Sequence, residues 1–127
     1  TVGAWGTRVF ENDTALDTIG EMSDLIENYY KGLIGSEDEH TIMLAAFLYI
    51  ATKDKDKAIE QFADPDTTLL NEIECVTRML SNVKQYKYKL IGNLYKCLDD
   101  VDNWSDDSKA SRKAEVQKMI DLIAKED

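Results

Sequence analysis

Residues 42–51, Ile42-Met43-Leu44-Ala45-Ala46-Phe47-Leu48-Tyr49-Ile50-Ala51, carry no charge, and no other stretch of the chain is apolar on every face. The run is too short to cross a bilayer, which takes about 20 apolar residues, so it reads as the central core helix of a soluble protein. A buried strand is the competing reading, because periodicity cannot separate the two when every position is apolar. The flanks favour the helix. Ser36-Glu37-Asp38-Glu39 fits a capping box in which Ser36 caps and the Glu39 carboxylate reaches back to the Ser36 amide. Lys53, Lys55 and Lys57 gather at the far end, where cations favour a helix C-terminus.

Working outward, the N-terminal side opens on residues 1–12, a loop with Gly3, Gly6 and Asn12 and the aromatics Trp5 and Phe10. Aromatics of that size are seldom left in water, so both are expected to plug the end of the helical core. Asn12 or Asp13 then caps a helix whose apolar positions Leu16, Ile19, Met22, Ile26, Tyr29, Tyr30 and Leu33 recur at three and four. Gly32 and Gly35 are its stop signals, through the left-handed conformation that glycine takes at a helix end. The central helix follows, from about Ser36 to Thr52.

On the C-terminal side, Ala58 to Phe62 suits a further turn or two, and Asp64-Pro65 is a restart with aspartate as cap. Leu69, Ile73, Val76, Leu80, Val83, Leu90, Leu94, Cys97 and Val101 keep a four-three spacing, which is one long helix or two nearly in phase. A mean helix of about 11–12 residues places a break near Ser81-Asn82. Ser105 or Asp106 caps a last helix with the stripe Val116, Met119, Ile120 and Ile123. The fold class is therefore all-α, a single domain over residues 1–127 of about five helices around the central apolar one.

Twenty-five acidic against fifteen basic residues give a net charge of −10, which argues against nucleic acid and anionic membranes as partners. Nine acids face two bases, Arg8 and Lys31, over the first fifty residues, and Glu37, Asp38 and Glu39 are consecutive. A second block holds Asp99, Asp100, Asp102, Asp106 and Asp107, while Lys84, Lys87, Lys89 and Lys96 form a basic stretch between the two. The two acidic blocks are the candidate surface for a basic protein partner. Cys75 and Cys97 are expected to be reduced core residues, and the absence of a signal-peptide pattern points to the cytoplasm.

Few residues of the chain fit a catalytic or metal-binding pattern. His40 is the only histidine, which removes metal sites built on paired histidines and leaves a surface or capping role for it. Residues 100–105, Asp-Val-Asp-Asn-Trp-Ser, start like a calcium loop, but Ser105 stands where the sharp turn needs glycine and Ser111 where a bidentate glutamate belongs. No catalytic residue, metal site or cofactor is assigned.

The opening Gly3-Ala4-Trp5-Gly6-Thr7-Arg8-Val9-Phe10-Glu11-Asn12-Asp13-Thr14-Ala15-Leu16-Asp17 resembles the start of an uncharacterised bacterial family of domain-of-unknown-function proteins. Members of that family look like Gly-x-Trp-Gly-x-Gly-x-Phe-x-Asn-Asp-x-Ala-x-Asp, and Arg8 stands where they usually have glycine. The resemblance implies a small, helical bacterial protein of the cytosol and implies no activity. Trp5, Gly6, Phe10, Asn12 and Asp13 read as a structural motif, with a small-ligand site there as the other reading. The expected function is a non-enzymatic acidic binding protein, foremost an immunity protein that neutralises a basic toxin; the alternative is an acidic regulatory or DNA-mimicking protein.

Overall fold

The computed structural model describes residues 5–9, 11–64, 70–80, 82–101 and 105–125. Among these, six α-helices follow one another: α1 (Asp13–Ile34), α2 (Glu39–Lys53), α3 (Lys55–Phe62), α4 (Leu70–Met79), α5 (Lys87–Asp100) and α6 (Asp106–Lys125), with a 3-10 turn at Val83–Tyr86 before α5. The all-α class holds, and α2 is central: it touches every other helix and the 3-10 turn. Of residues 42–51 only Leu44 reaches the surface. A helix apolar on every side has no face to give to water, so the others must coat it, each with one stripe.

Buried polar bonds fix the register of that coat. The Tyr30 hydroxyl donates to the Ala45 carbonyl at 2.7 Å, joining α1 to α2. Burial pushes this hydroxyl well above the usual tyrosine range, so it remains a donor. The Asn93 amide donates to the Ile34 carbonyl at 2.6 Å, which ties α5 to an orphan carbonyl at the end of α1. The Lys118 ammonium donates to the Gln61 carbonyl and lies 4.8 Å from the Phe62 ring centroid, holding α6 against α3. The expected stripe of α6, Val116, Met119, Ile120 and Ile123, is buried throughout.

Helix boundaries correct several expectations. Asp38, not Ser36, caps α2: its carboxylate accepts from the Thr41 amide at 2.9 Å, while the Ser36 hydroxyl accepts from the Asp38 amide at 3.0 Å. The helix starts only at Glu39, which places Thr41 three residues beyond Asp38, the reach of a capping side chain. Asp54 closes α2 and caps α3 by accepting from the Lys57 amide at 3.0 Å. Lys55 and Lys57 therefore belong to the first turn of α3 and not to the end of α2. Gly35 ends α1 at φ −81° and ψ −1°, right-handed rather than left-handed, and Gly32 lies inside the helix. The Asp64-Pro65 restart falls partly on residues 65–69, outside the described residues.

The break expected near Ser81-Asn82 is present, and Asn82 is left-handed at φ 55° and ψ 26°. Asparagine tolerates that region better than other non-glycine residues because its short side chain bonds locally. Tyr86 closes the 3-10 turn and α5 continues directly from Lys87.

Leu48 is 6% exposed and Leu44, one turn earlier on the same helix, 48%. Leu48→Ala is expected to cost about 2–5 kcal/mol and Leu44→Ala well under half of that, read from denaturant midpoints at equal slope. At Asn82, glycine should be tolerated within about 0.5 kcal/mol, whereas Asn82→Val should cost about 1–2 kcal/mol from backbone strain alone.

Candidate acidic pole and apolar groove

The first candidate surface assembles from three helix ends. Glu37 and Asp38 are exposed before α2, Asp99 and Asp100 at the end of α5, and Asp106 and Asp107 in the first turn of α6. Asp102 lies outside the described residues. The Asp38 carboxyl is held below the usual carboxylate range, first by the bond from the Thr41 hydroxyl at 2.7 Å and then by the Thr41 amide. Asp106 and Asp107 sit where unpaired amides favour negative charge at a helix N-terminus.

Glu39 does not fold back on Ser36. Its carboxylate accepts from the Arg112 guanidinium of α6 at 2.6 Å, in a pair whose side chains are each 16% exposed. A further Arg112 nitrogen lies 3.2 Å from His40 Nδ1, so the histidine is an exposed first-turn residue as expected. Cys97 registers charges from each block. Its thiol is pushed up to about 11, chiefly by burial and then by the charges of Glu39 and Asp100, with Arg112 opposing and Asp38 adding. One side chain feels both acidic blocks, so sequence segments some sixty residues apart share one pole of the bundle.

The N-terminal motif closes a loop and starts a helix. Asn12 caps α1 by accepting from the Ala15 amide at 2.8 Å, and its side-chain amide donates to the Val9 carbonyl at 3.0 Å. The Trp5 amide donates to the Glu11 carbonyl at 3.0 Å. The end of the Glu11 side chain lies where a β-carbon at Gly6 would project. Asp13 is exposed in the first helical turn. Trp5, however, is 59% exposed and plugs nothing, because the start of α1 lies away from the core, and Phe10 is outside the described residues.

The second candidate surface was not expected. Met22, Leu25, Ile26, Tyr29 and Leu33 of α1, Leu44 and Leu48 of α2, and Ile73, Val76 and Met79 of α4 line an open groove of about 610 Å³. Glu72 is the one charged residue among its walls. The apolar stripe of α1 had been read as core-facing, yet α1 gives the core only Ile26, Tyr30, Leu33 and Ile34. Leu16, Ile19, Met22, Leu25 and Tyr29 are 48–75% exposed. Leu25, three residues after Met22 and four before Tyr29, widens the apolar sector beyond what one neighbour covers while keeping the spacing of a core stripe. A smaller polar cleft of about 330 Å³ is held by Glu74, paired to Lys55 at 3.5 Å and to Arg78 at 2.7 Å.

The cysteines divide rather than sharing the core: Cys97 is buried and Cys75 is exposed on α4. In the native protein, Cys75 should be labelled by a thiol reagent without denaturant, because it is exposed. Cys97 should react only in denaturant, since burial shields it and a pKa near 11 keeps it protonated.

Compared with curated proteins and with solved structures, the chain matches none. A family model described as a domain of unknown function, DUF4259, matches residues 3–126, which takes in the N-terminal motif, both acidic blocks and every wall of the groove. The chain belongs to the DUF4259 family.

Proposed function

We propose that the protein is a non-enzymatic binding protein of the bacterial cytoplasm whose acidic pole receives a basic protein partner, as an immunity protein covers the positive face of its cognate toxin. The observation that carries this reading is the convergence of two acidic blocks at one pole. Glu37, Asp38, Asp99, Asp100, Asp106 and Asp107 are exposed there, whereas the neighbouring Arg112 is half-buried and engaged by Glu39. A net charge of −10 adds a long-range field that draws a cation-rich surface toward the molecule. Two further points favour binding over catalysis. The sole histidine lies beside a guanidinium, and the buried thiol at this pole stays protonated at neutral pH. No helix among the described residues is long and apolar enough to cross a membrane.

The test is association kinetics against the basic protein recovered from the native host, at several salt concentrations. Raising ionic strength from about 0.05 to 0.15 M should slow association while changing dissociation less, because exposed charges are screened over about 8–10 Å. Replacing Asp99, Asp100, Asp106 and Asp107 together by Asn should lower the on-rate about tenfold, and Glu37→Gln should add to the effect. Asp38 is left intact in this design because it caps α2. An on-rate indifferent to salt and to these substitutions would remove the acidic pole as the docking surface.

A further inference from the structure

The walls of the groove between α1, α2 and α4 are held from behind. The Tyr30 hydroxyl bonds α1 to the Ala45 carbonyl of α2, and on the other face of α4 Glu74 pairs with Lys55 of α3 at 3.5 Å. Leu25, Tyr29 and Leu44 stand exposed along the opening and take no part in the core cluster. The concave shape therefore exists before anything enters it, and an occupant meets a pre-formed surface.

Size limits that occupant. α4 has ten residues, so its wall is roughly 15 Å long, and packed helices stand about 8–10 Å apart. By itself such a strip falls far short of the ~800 Å² per partner that a stable protein interface buries. The volume of about 610 Å³ lies instead within the roughly 300–1,000 Å³ of small-molecule sites.

Charge limits it further. Tyr30 has committed its hydroxyl to Ala45, and Glu72 is the one charged wall residue. Glu72 is exposed, and it has no hydrogen bond or ion pair among the described residues, unlike Glu74 two positions on, which holds Lys55 and Arg78. At about 100° per residue the two glutamates point about 160° apart, so the cations that neutralise Glu74 belong to the other side of α4. A molecule lying in the groove finds apolar contact along its length and an uncompensated carboxylate in the wall. An anionic amphiphile would set like charges together there, in a chain of net charge −10, whereas a cation is attracted by both.

We infer that the groove is a binding site for a long-chain organic cation, an alkylamine-like amphiphile whose hydrocarbon tail lies against Leu25, Leu44, Leu48 and Val76 and whose ammonium group meets Glu72. The flexible thioethers of Met22 and Met79 let the walls adjust to the tail. None of the carboxylates of the acidic pole is among these walls, so the site stands or falls apart from the docking surface proposed above.

Calorimetric titration of the full chain with decylamine, decanol and decanoate, each below its aggregation concentration, tests the inference. The expected result is saturable uptake of one decylamine per chain, about fivefold tighter than decanol, with decanoate weaker than both. Butylamine, with the same charge and a short tail, should not saturate over the same range. Glu72→Gln should erase the preference for amine over alcohol and leave decanol binding within about twofold of wild type. Leu25→Gln with Leu44→Gln touches no core residue, so circular dichroism should be unchanged while every chain binds at least about tenfold more weakly. Glu60→Gln, exposed on α3 and not a wall residue, should change nothing. Decylamine bound no tighter than decanol, a preference that survives Glu72→Gln, or an equal loss in Glu60→Gln would overturn the inference. Decanoate bound as tightly as the amine would overturn it and give the groove to a fatty acid, and no saturable uptake of any chain would leave the groove to a protein surface.

Discussion

Everything in this fold depends on covering α2. A fifteen-residue helix with nine buried side chains is stable only when apolar surface surrounds it, and Ala45, Ala46 and Ala51 are small enough for neighbouring helices to approach its backbone closely. Leucine and isoleucine from α5 and α6 then fill the space these alanines leave, with Leu90, Leu94 and Ile123 among the largest fully buried side chains. The wrapping is tied by polar bonds that each join two helices. Tyr30 to Ala45, Asn93 to Ile34 and Arg112 to Glu39 give the packing a register that hydrophobic burial, being non-directional, would not supply.

What could be read from the chain alone was whatever is decided locally. The Asn12 cap, the break at Asn82 and the buried stripe of α6 each depend on a few neighbouring residues, and each is where the sequence placed it. The errors share one cause. Ser36 and Asp38 are both good capping residues, and the choice between them was made by where α2 could start packing. Lys55 and Lys57 looked like the end of one helix because Asp54 looked like one charge among several rather than a shared cap. Trp5 and the first half of the α1 stripe were assigned to the core because burial follows from how far a neighbouring helix extends, and α2 stops too soon.

The functional surfaces divide in the same way. Both acidic blocks were visible as composition, but their meeting at one pole depends on α2, α5 and α6 bringing three helix ends together, which no local pattern specifies. The groove was invisible because its residues satisfy the same periodicity as a core stripe. The outcome is a molecule whose clustered carboxylates and whose uncovered apolar surface are carried by different residues, so either can change without disturbing the other.

Tyr30 bonds to Ala45 with α1 and α2 antiparallel, so residues 13–21 of α1 run past the end of α2, and these turns have a thermodynamic character of their own. They extend a helix already nucleated inside the fold, so they owe nothing to the costly first hydrogen-bonded turn that isolated helices must form, yet no buried side chain holds them. Opening them breaks backbone bonds one at a time and leaves the core untouched, so their population follows a helix–coil balance rather than global stability. Gly20 sits within these turns with open space where a β-carbon would project. Glycine at a helical position is worse than alanine by about 0.5–1 kcal/mol, so a single residue weakens these turns relative to the rest of the helix.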